Sequence, residues 1–245
     1  PPALLEVIEP RQGRILMLEP RRIAAVSAAR WMAGRLQEEV GQTLGYSIRF
    51  DSRVSKQTRI EVMTEGILTR RILADPGLAG VAMVIFDEFH ERSLQTDLAL
   101  ALCLDIRRGL REDLKILVMS ATLEGGPVSA LLGDAAVITS QGSAYPVEQR
   151  YCGDGPNQPV TKRVTEVVRR ALRETTGDIL VFLPGAGEIR AASDALAEGL
   201  PGGVSLHSLK GNLPFEEQER AILPARNRKI VLATNIAEPS LTIEG

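Results

Sequence analysis

Continuous runs of Val, Ile, Leu and Met, alternating with helical patterns, constrain the fold of this chain more than any other sequence feature. Strands that are apolar on both faces are typical of parallel sheets covered by helices on each side. The sequence therefore predicts an α/β fold, in which ligands bind at the carboxyl ends of the strands. In the first part of the chain the predicted strands are 14–19, 45–50, 59–64, 81–86, 115–120 and 135–140.

The segments between these strands predict helices at 21–40, 65–74, 94–108 and 127–133. A second series follows the stretch GDGPNQP (153–159), which has the composition of a linker. The chain is therefore predicted to form two α/β units that meet near residue 150. In the second series the predicted helices are 160–175, 186–199 and 215–223, and the predicted strands are 178–183, 203–207 and 228–234.

Composition excludes several classes of protein. The net charge is −2, so any binding of nucleic acid must come from local basic patches. The two cysteines, Cys103 and Cys152, lie far apart without a CxxC motif, which argues against a disulfide framework or a zinc site and for a reducing compartment. No signal peptide is recognisable, and no apolar run approaches the ~20 residues of a membrane span. We therefore expect a cytoplasmic protein outside the membrane.

Two adjacent carboxylates, Asp87 and Glu88, end the apolar run at 81–86. Hydrolysis of a Mg²⁺–nucleotide requires this pattern: one carboxylate holds the cation through water, and the next polarises the attacking water. The alternative is an acid-rich helix N-terminus. His90 follows closely, but the zinc motif HExxH is excluded because its fifth position is Leu94. Alone, His90 would be a structural hydrogen-bonding residue.

Hydroxyl groups follow two further predicted strands. Ser120 and Thr122 end the strand that begins at Lys115; they could pair with the carboxylates and relay their state, or they could cap a helix. The segment after the last predicted strand suggests a ligand rich in oxyanions, and the alternative is an ordinary polar loop. Its polar residues are Thr234, Asn235, Ser240 and Thr242.

Arginines follow two predicted strands of the first unit. Arg21 and Arg22 stand at the start of a predicted helix, where backbone amides and guanidinium groups suit phosphate. The stretch TEGILTRR (64–71) repeats this arrangement. Each could be a solvated surface, but two on one unit predict a track for a phosphate backbone. The track would consist of Arg21, Arg22, Arg70 and Arg71.

Seven stretches together resemble the DEAH-box class of superfamily 2 helicases, the bacterial HrpB type in particular. They are LEPRRIAA, GYSIRFDSRVS, TEGILTRRIL, VIFDEFHERS, LVMSATL, ILVFLPGAGEIR and LATNIAEPSLTIEG. They follow the order of the family and cover nearly the whole chain. The resemblance implies two RecA-like parallel-sheet domains in tandem, of the P-loop NTPase type, at 1–145 and 146–245. ATP and Mg²⁺ would bind between them, and a single strand of RNA or DNA would lie across them.

The resemblance also implies roles for single residues. Asp87 would carry Mg²⁺, Glu88 would activate water, and His90 would couple to the second domain. Ser120 and Thr122 would link hydrolysis to unwinding. The nucleotide and its metal would be approached by Asp87, Glu88, Ser240, Thr242, Glu244 and Gly245. The nucleic acid would be contacted by Arg21, Arg22, Thr64, Glu65, Gly66, Arg70, Arg71, Thr234 and Asn235.

Departures from the family pattern restrict the expected activity. No GxxxxGK[ST] motif occurs, although the phosphate loop of the family lies shortly before RILMLEPRR, and the arginine-finger segment would follow Gly245. Pro239 replaces the Thr that is usual in AETSLT. We therefore expect a fragment, with the first domain lacking its phosphate loop and the second incomplete at its C-terminus. It would be monomeric and inactive without the missing segments of its parent chain. The alternative is a non-hydrolysing nucleic-acid clamp on the same fold.

Overall fold

The chain forms two compact units, Pro1–Ser140 and Gln141–Gly245. The computed structural model describes residues 1–121, 125–140, 142, 145–153, 158–211, 213–223 and 225–235. Each unit combines helices with a sheet that is wholly or mainly parallel, which confirms the predicted α/β class. The domain limits 1–145 and 146–245 stay a prediction.

A six-stranded sheet forms the centre of the first unit. Its strands are β1 (Arg14–Glu19), β2 (Leu44–Ile48), β3 (Asp51–Arg53), β4 (Ile60–Thr64), β5 (Val81–Phe86) and β6 (Lys115–Val118). They lie in the order β3-β2-β4-β1-β5-β6, and every neighbouring pair is parallel except β2 and β3. The sequence gives no apolar signal for β3, because all three of its residues are polar and exposed.

Within the described residues of this unit, the α-helices that accompany the sheet are α1 (Arg22–Arg35), α2 (Glu65–Ala74), α3 (Leu94–Gly109) and α4 (Gly125–Leu131). The core is apolar on both faces of the central strands, and Leu16, Val84 and Phe86 are fully buried. Helix α1 stops well before the predicted end at residue 40, because Gln37 adopts a left-handed conformation with φ of 57°.

The strand predicted at 135–140 is wrong, since the structure describes all six residues and assigns them no strand. Val137 and Ile138 suggested a strand because they are β-branched and apolar. Instead their side chains are 59% and 94% exposed, and no neighbouring strand pairs with this segment. β-branched residues favour strands only where a partner strand and a packed face are available.

The second unit contains a three-stranded parallel sheet in the order β7-β9-β8, with β7 at Ile179–Phe182, β8 at Val204–Leu209 and β9 at Arg228–Ala233. Its helices are α5 (Val160–Glu174), α6 (Ala186–Ala197) and α7 (Phe215–Ile222). In the part of the chain that the structure describes, no helix combines the length and the apolar character that crossing a membrane requires.

Candidate functional site

The carboxyl ends of four adjacent strands lie side by side in the first unit. In the register of the sheet, Glu19 pairs with Thr64, and Phe86 pairs with Leu18 on one side and Val118 on the other. Strands β4, β1, β5 and β6 therefore end at the same edge of the sheet. The candidate residues are predicted to follow strands at their carboxyl ends, and this edge is where those ends lie. Along this edge the chain places Thr64, Glu19, Asp87 and Ser120.

Backbone hydrogen bonds hold the Asp87-Glu88 pair beyond the end of β5. The amide of Asp87 donates to the carbonyl of Leu18 (3.1 Å), and the amide of Phe89 donates to the carbonyl of Met119 (3.1 Å). Between them, Glu88 is in the left-handed region with φ of 50°. Such a conformation costs about 1–3 kcal/mol in a non-glycine residue and persists only where the surroundings fix it. The fold therefore imposes the direction of the Glu88 side chain.

Glu19 is a site residue that the sequence reasoning missed. It ends β1, only 5% of it is exposed, and its carboxyl group forms a hydrogen bond with that of Asp87. Burial, followed by the negative charges of Asp87 and Glu88, raises the pKa of Glu19 to about 9. The available signal was a carboxylate at the end of an apolar strand, but it becomes meaningful only when β1 is known to lie beside β5.

The three carboxyl groups crowd together, and the charges of Asp87 and Glu88 oppose ionisation of Glu19. Burial also raises the pKa of Asp87 and of Glu88 above their usual values, and the neighbouring Asp87 charge adds to the effect at Glu88. Oxygen ligands that repel one another suit a hard divalent cation. Among the residues described, no group of three or more His, Cys, Asp or Glu could by itself hold a metal ion. An ion bound here would keep water or phosphate oxygens, as Mg²⁺ usually does.

A short 3₁₀ turn, Phe89–Glu91, continues from the carboxylate pair. The His90 Nε2 atom lies 3.3 Å from a carboxylate oxygen of Glu88. The Glu91 carboxylate lies 3.4 Å from the guanidinium of Arg21, which joins the first predicted arginine pair to this turn. Two buried atoms of the turn, His90 Nδ1 and Glu91 Oε1, have no hydrogen-bond partner within the described residues.

The residues predicted to contact nucleic acid divide into two groups in the first unit. Arg22, Gly66 and Arg70 are exposed, and a Cβ atom added at Gly66 would meet nothing within 4 Å. Thr64 is the N-cap residue of α2 and Arg22 begins α1, so Gly66 and Arg22 lie at helix N-termini on the carboxyl edge of the sheet, and Arg70 lies further along α2. This location stays compatible with contact to a phosphate backbone.

The other group consists of Arg71 and Glu65, whose side chains form hydrogen bonds with other side chains of the first unit. Arg71 donates two hydrogen bonds to the buried carboxylate of Glu61 (2.9 and 2.7 Å), near the amino end of β4. Glu65 is 9% exposed and accepts hydrogen bonds from the hydroxyls of Ser93 and Thr96. These contacts do not favour the predicted binding of nucleic acid by Arg71 or Glu65.

Several predicted residues belong elsewhere. Thr234 and Asn235 follow β9 in the second unit, and the amide of Thr234 donates to the carbonyl of Leu209 at 3.4 Å. The remaining predicted residues lie outside the described part of the chain; they are Thr122, Ser240, Thr242, Glu244 and Gly245.

Comparison with known proteins tests the family resemblance that the sequence motifs suggested. Over 235 residues the chain is 50% identical to the ATP-dependent RNA helicase HrpB of Escherichia coli strain K12. The resemblance to the HrpB type of DEAH helicase is confirmed. Two crystal structures of E. coli HrpB, described as a DEAH/RHA helicase and as a DExH-box NTPase, match with TM-scores of 0.85 and 0.74. Each is 50% identical to this chain and covers 95% of it.

The match covers only part of the HrpB proteins. It spans 29% of the E. coli HrpB sequence and 30% and 29% of the two solved chains. No family model matches the chain.

Proposed function

We propose that this chain is part of an ATP-dependent helicase of the DEAH class, which couples hydrolysis of Mg-ATP to movement along single-stranded RNA or DNA. The observation that carries the proposal is the Asp87-Glu88 pair, held beside Glu19 where β5 ends. The 50% identity to a protein named as an ATP-dependent RNA helicase supports it. Action as a cytoplasmic monomer belongs to the same proposal and rests on the family resemblance.

In this proposal the two carboxylates have separate tasks. Asp87 would hold Mg²⁺, and Glu88 would accept a proton from the water that attacks the terminal phosphate. The chemistry that Mg²⁺ would supply here is neutralisation of charge on the phosphate oxygens. The raised pKa of Glu88 makes it a stronger base than an ordinary carboxylate, and His90 at 3.3 Å orients it.

Turnover in this proposal needs groups that the 245 residues do not include. Their sequence has no GxxxxGK[ST] motif, and the amides and lysine of that loop form most of a triphosphate cradle. An arginine finger adds about 10³–10⁵ in rate in related NTPases. The 245-residue polypeptide therefore does not hydrolyse ATP measurably, whereas a longer chain that contains the loop does.

Phosphate release by both chains tests the proposal. We expect Mg²⁺-dependent release, stimulated by single-stranded RNA, from the longer chain only. Glu88→Gln should lower its rate by at least about 10²-fold, because it removes the general base. The matched variant Glu112→Gln changes an exposed carboxylate on the surface and should leave the rate unchanged. Release from the 245 residues alone that Glu88→Gln abolishes would refute the fragment part of the proposal.

A nucleic-acid clamp without turnover is the second candidate. The lack of a phosphate-loop motif in the 245 residues fits it. If the protein is a clamp, the longer chain would also bind the strand without releasing phosphate. Glu88→Gln would then change neither strand binding nor phosphate release. The crowded carboxylates favour the enzyme, because a clamp gains nothing from negative charge beside a phosphate backbone.

A further inference from the structure

A buried hydrogen-bond cluster joins α2 to α3 at the carboxyl edge of the first sheet. The carboxylate of Glu65, in the first turn of α2, accepts from Ser93 Oγ at 3.0 Å on each of its oxygens, and also from Thr96 Oγ1. A buried carboxylate without hydrogen-bond partners would strongly destabilise the fold. The hydrogen bonds from the two hydroxyls offset the cost of burying Glu65. The cluster is therefore a specific link between the two helices.

Ser93 connects this cluster to the start of α3. It is the N-cap residue of the helix, and its hydroxyl oxygen accepts from the amide of Thr96 at 2.9 Å. The same hydroxyl donates to Glu65, so the carboxylate orients the group that caps α3. A displacement of the α2 N-terminus would therefore act directly on the first turn of α3.

The segment between Glu88 and Ser93 is short and conformationally restricted. It consists of the 3₁₀ turn and Arg92, and both residues that flank the turn, Glu88 and Arg92, are left-handed with φ of 50° and 44°. Phe89 anchors the turn in the core, where it is 3% exposed. Such backbone persists only where the surrounding structure fixes it. One end is fixed by the amides around Asp87, and the other is fixed by the cap at Ser93.

We propose that Glu65 is a positioning residue that transmits strand binding at the α2 N-terminus to Glu88, through the hydroxyls of Ser93 and Thr96. This inference rests on the proposed function, because it takes Gly66 and Arg70 as part of the strand-binding surface. It assigns Glu65 a role that differs from the contact with nucleic acid expected from the sequence. A carboxylate facing a phosphate backbone would weaken binding, whereas one facing two hydroxyls couples two helices.

Hydrogen exchange of the 245-residue chain, with and without a 12-nucleotide oligouridylate, tests the proposal without requiring turnover. In the wild type, saturation with the oligonucleotide should slow exchange of the amides of Phe89, Glu91, Thr96 and Asp97 by about fivefold or more. Thr96→Val removes the hydroxyl that donates to Glu65 but keeps the amide that donates to Ser93. In this variant the slowing should fall below about twofold while the oligonucleotide affinity changes by less than about twofold.

The chain offers a matched control and a conservative variant. Thr69→Val makes the same substitution in α2, where the hydroxyl donates only to the backbone carbonyl of Glu65 (3.3 Å), and should behave as the wild type. Glu65→Gln keeps one acceptor oxygen and should retain part of the slowing that Glu65→Ala loses. Oligonucleotide binding with unaltered exchange in the wild type, or full slowing in Thr96→Val, overturns the inference alone. No binding to the wild-type chain overturns the inference together with the proposed strand-binding function.

Discussion

At the scale of single residues, Glu19 shows how the fold changes the chemistry of a side chain. Its pKa of about 9 exceeds the ordinary value of 4.5 because burial and the charges of Asp87 and Glu88 oppose its ionisation. Between about pH 4.5 and pH 9, this carboxyl group is therefore protonated in the folded chain and ionised in the unfolded chain. Stability from this group is complete below the unfolded pKa and is lost as the pH rises through that window.

Glu19→Gln should remove this pH dependence. Gln is neutral and can still donate a hydrogen bond to Asp87, so we expect the variant to exceed the wild type in stability by about 1–3 kcal/mol at pH 8.5. Near pH 4.5 the difference should be small. Urea unfolding of both proteins in EDTA at the two pH values measures the effect. Glu39→Gln, at an exposed carboxylate, is the control, and equal pH profiles for Glu19→Gln and the wild type would contradict the prediction.

At the scale of elements, the regular parts of the first unit follow from local patterns. β1 and β5 were predicted with their observed limits because their residues are continuously apolar, and α2 was predicted over 65–74 because Pro76 follows it closely. The short strand β3 could not be predicted, since its polar residues form a strand only by pairing with β2. The segment 135–140 fails for the converse reason, because its apolar residues have no partner strand.

Helix α2 carries two adjacent arginines that the sequence could not distinguish. Arg70 is exposed, whereas Arg71 is paired with Glu61, whose side chain is fully buried in β4. Burial opposes the charge of Glu61, but hydrogen bonds from Arg71 and Ser47 outweigh it and lower the pKa of this carboxyl group. The difference between the arginines depends on the position of α2 against β4, which no local pattern encodes.

The two arginines should therefore respond differently to the same substitution. Arg71→Ala leaves the Glu61 carboxylate buried without its main partner, and we expect the unfolding free energy to fall by about 2–4 kcal/mol. Arg70→Ala should change stability by less than about 0.5 kcal/mol and should instead weaken binding of single-stranded RNA. Urea unfolding and fluorescence anisotropy separate the two effects. Similar losses of stability in both variants would show that the Arg71–Glu61 pair contributes little.

At the scale of the whole molecule, the candidate site combines predictable and unpredictable parts. The sequence identified Asp87 and Glu88 because two carboxylates after an apolar strand are chemically distinctive. It did not indicate Glu19 or the hydroxyl partners of Glu65, because both depend on which strands and helices are neighbours. Affinity for nucleic acid also depends on the fold. A net charge of −2 provides no general attraction, so affinity must come from arginines that the fold brings to one surface.

Salt dependence of strand binding measures how many of these arginines contact phosphate. Four contacts would give a log–log slope of about −3 for a single strand, at ~0.7 per contact. Arg71 donates two short hydrogen bonds to the buried Glu61, whereas Arg21 contacts Glu91 at a longer distance of 3.4 Å. We therefore exclude only Arg71 and expect three contacts and a slope of about −2 between 50 and 300 mM KCl. Arg70→Ala should reduce the slope by about 0.7, whereas Arg108→Ala, at an exposed position on α3, should not change it. A flat response would eliminate the arginine track, because neutralised phosphates must release their counterions.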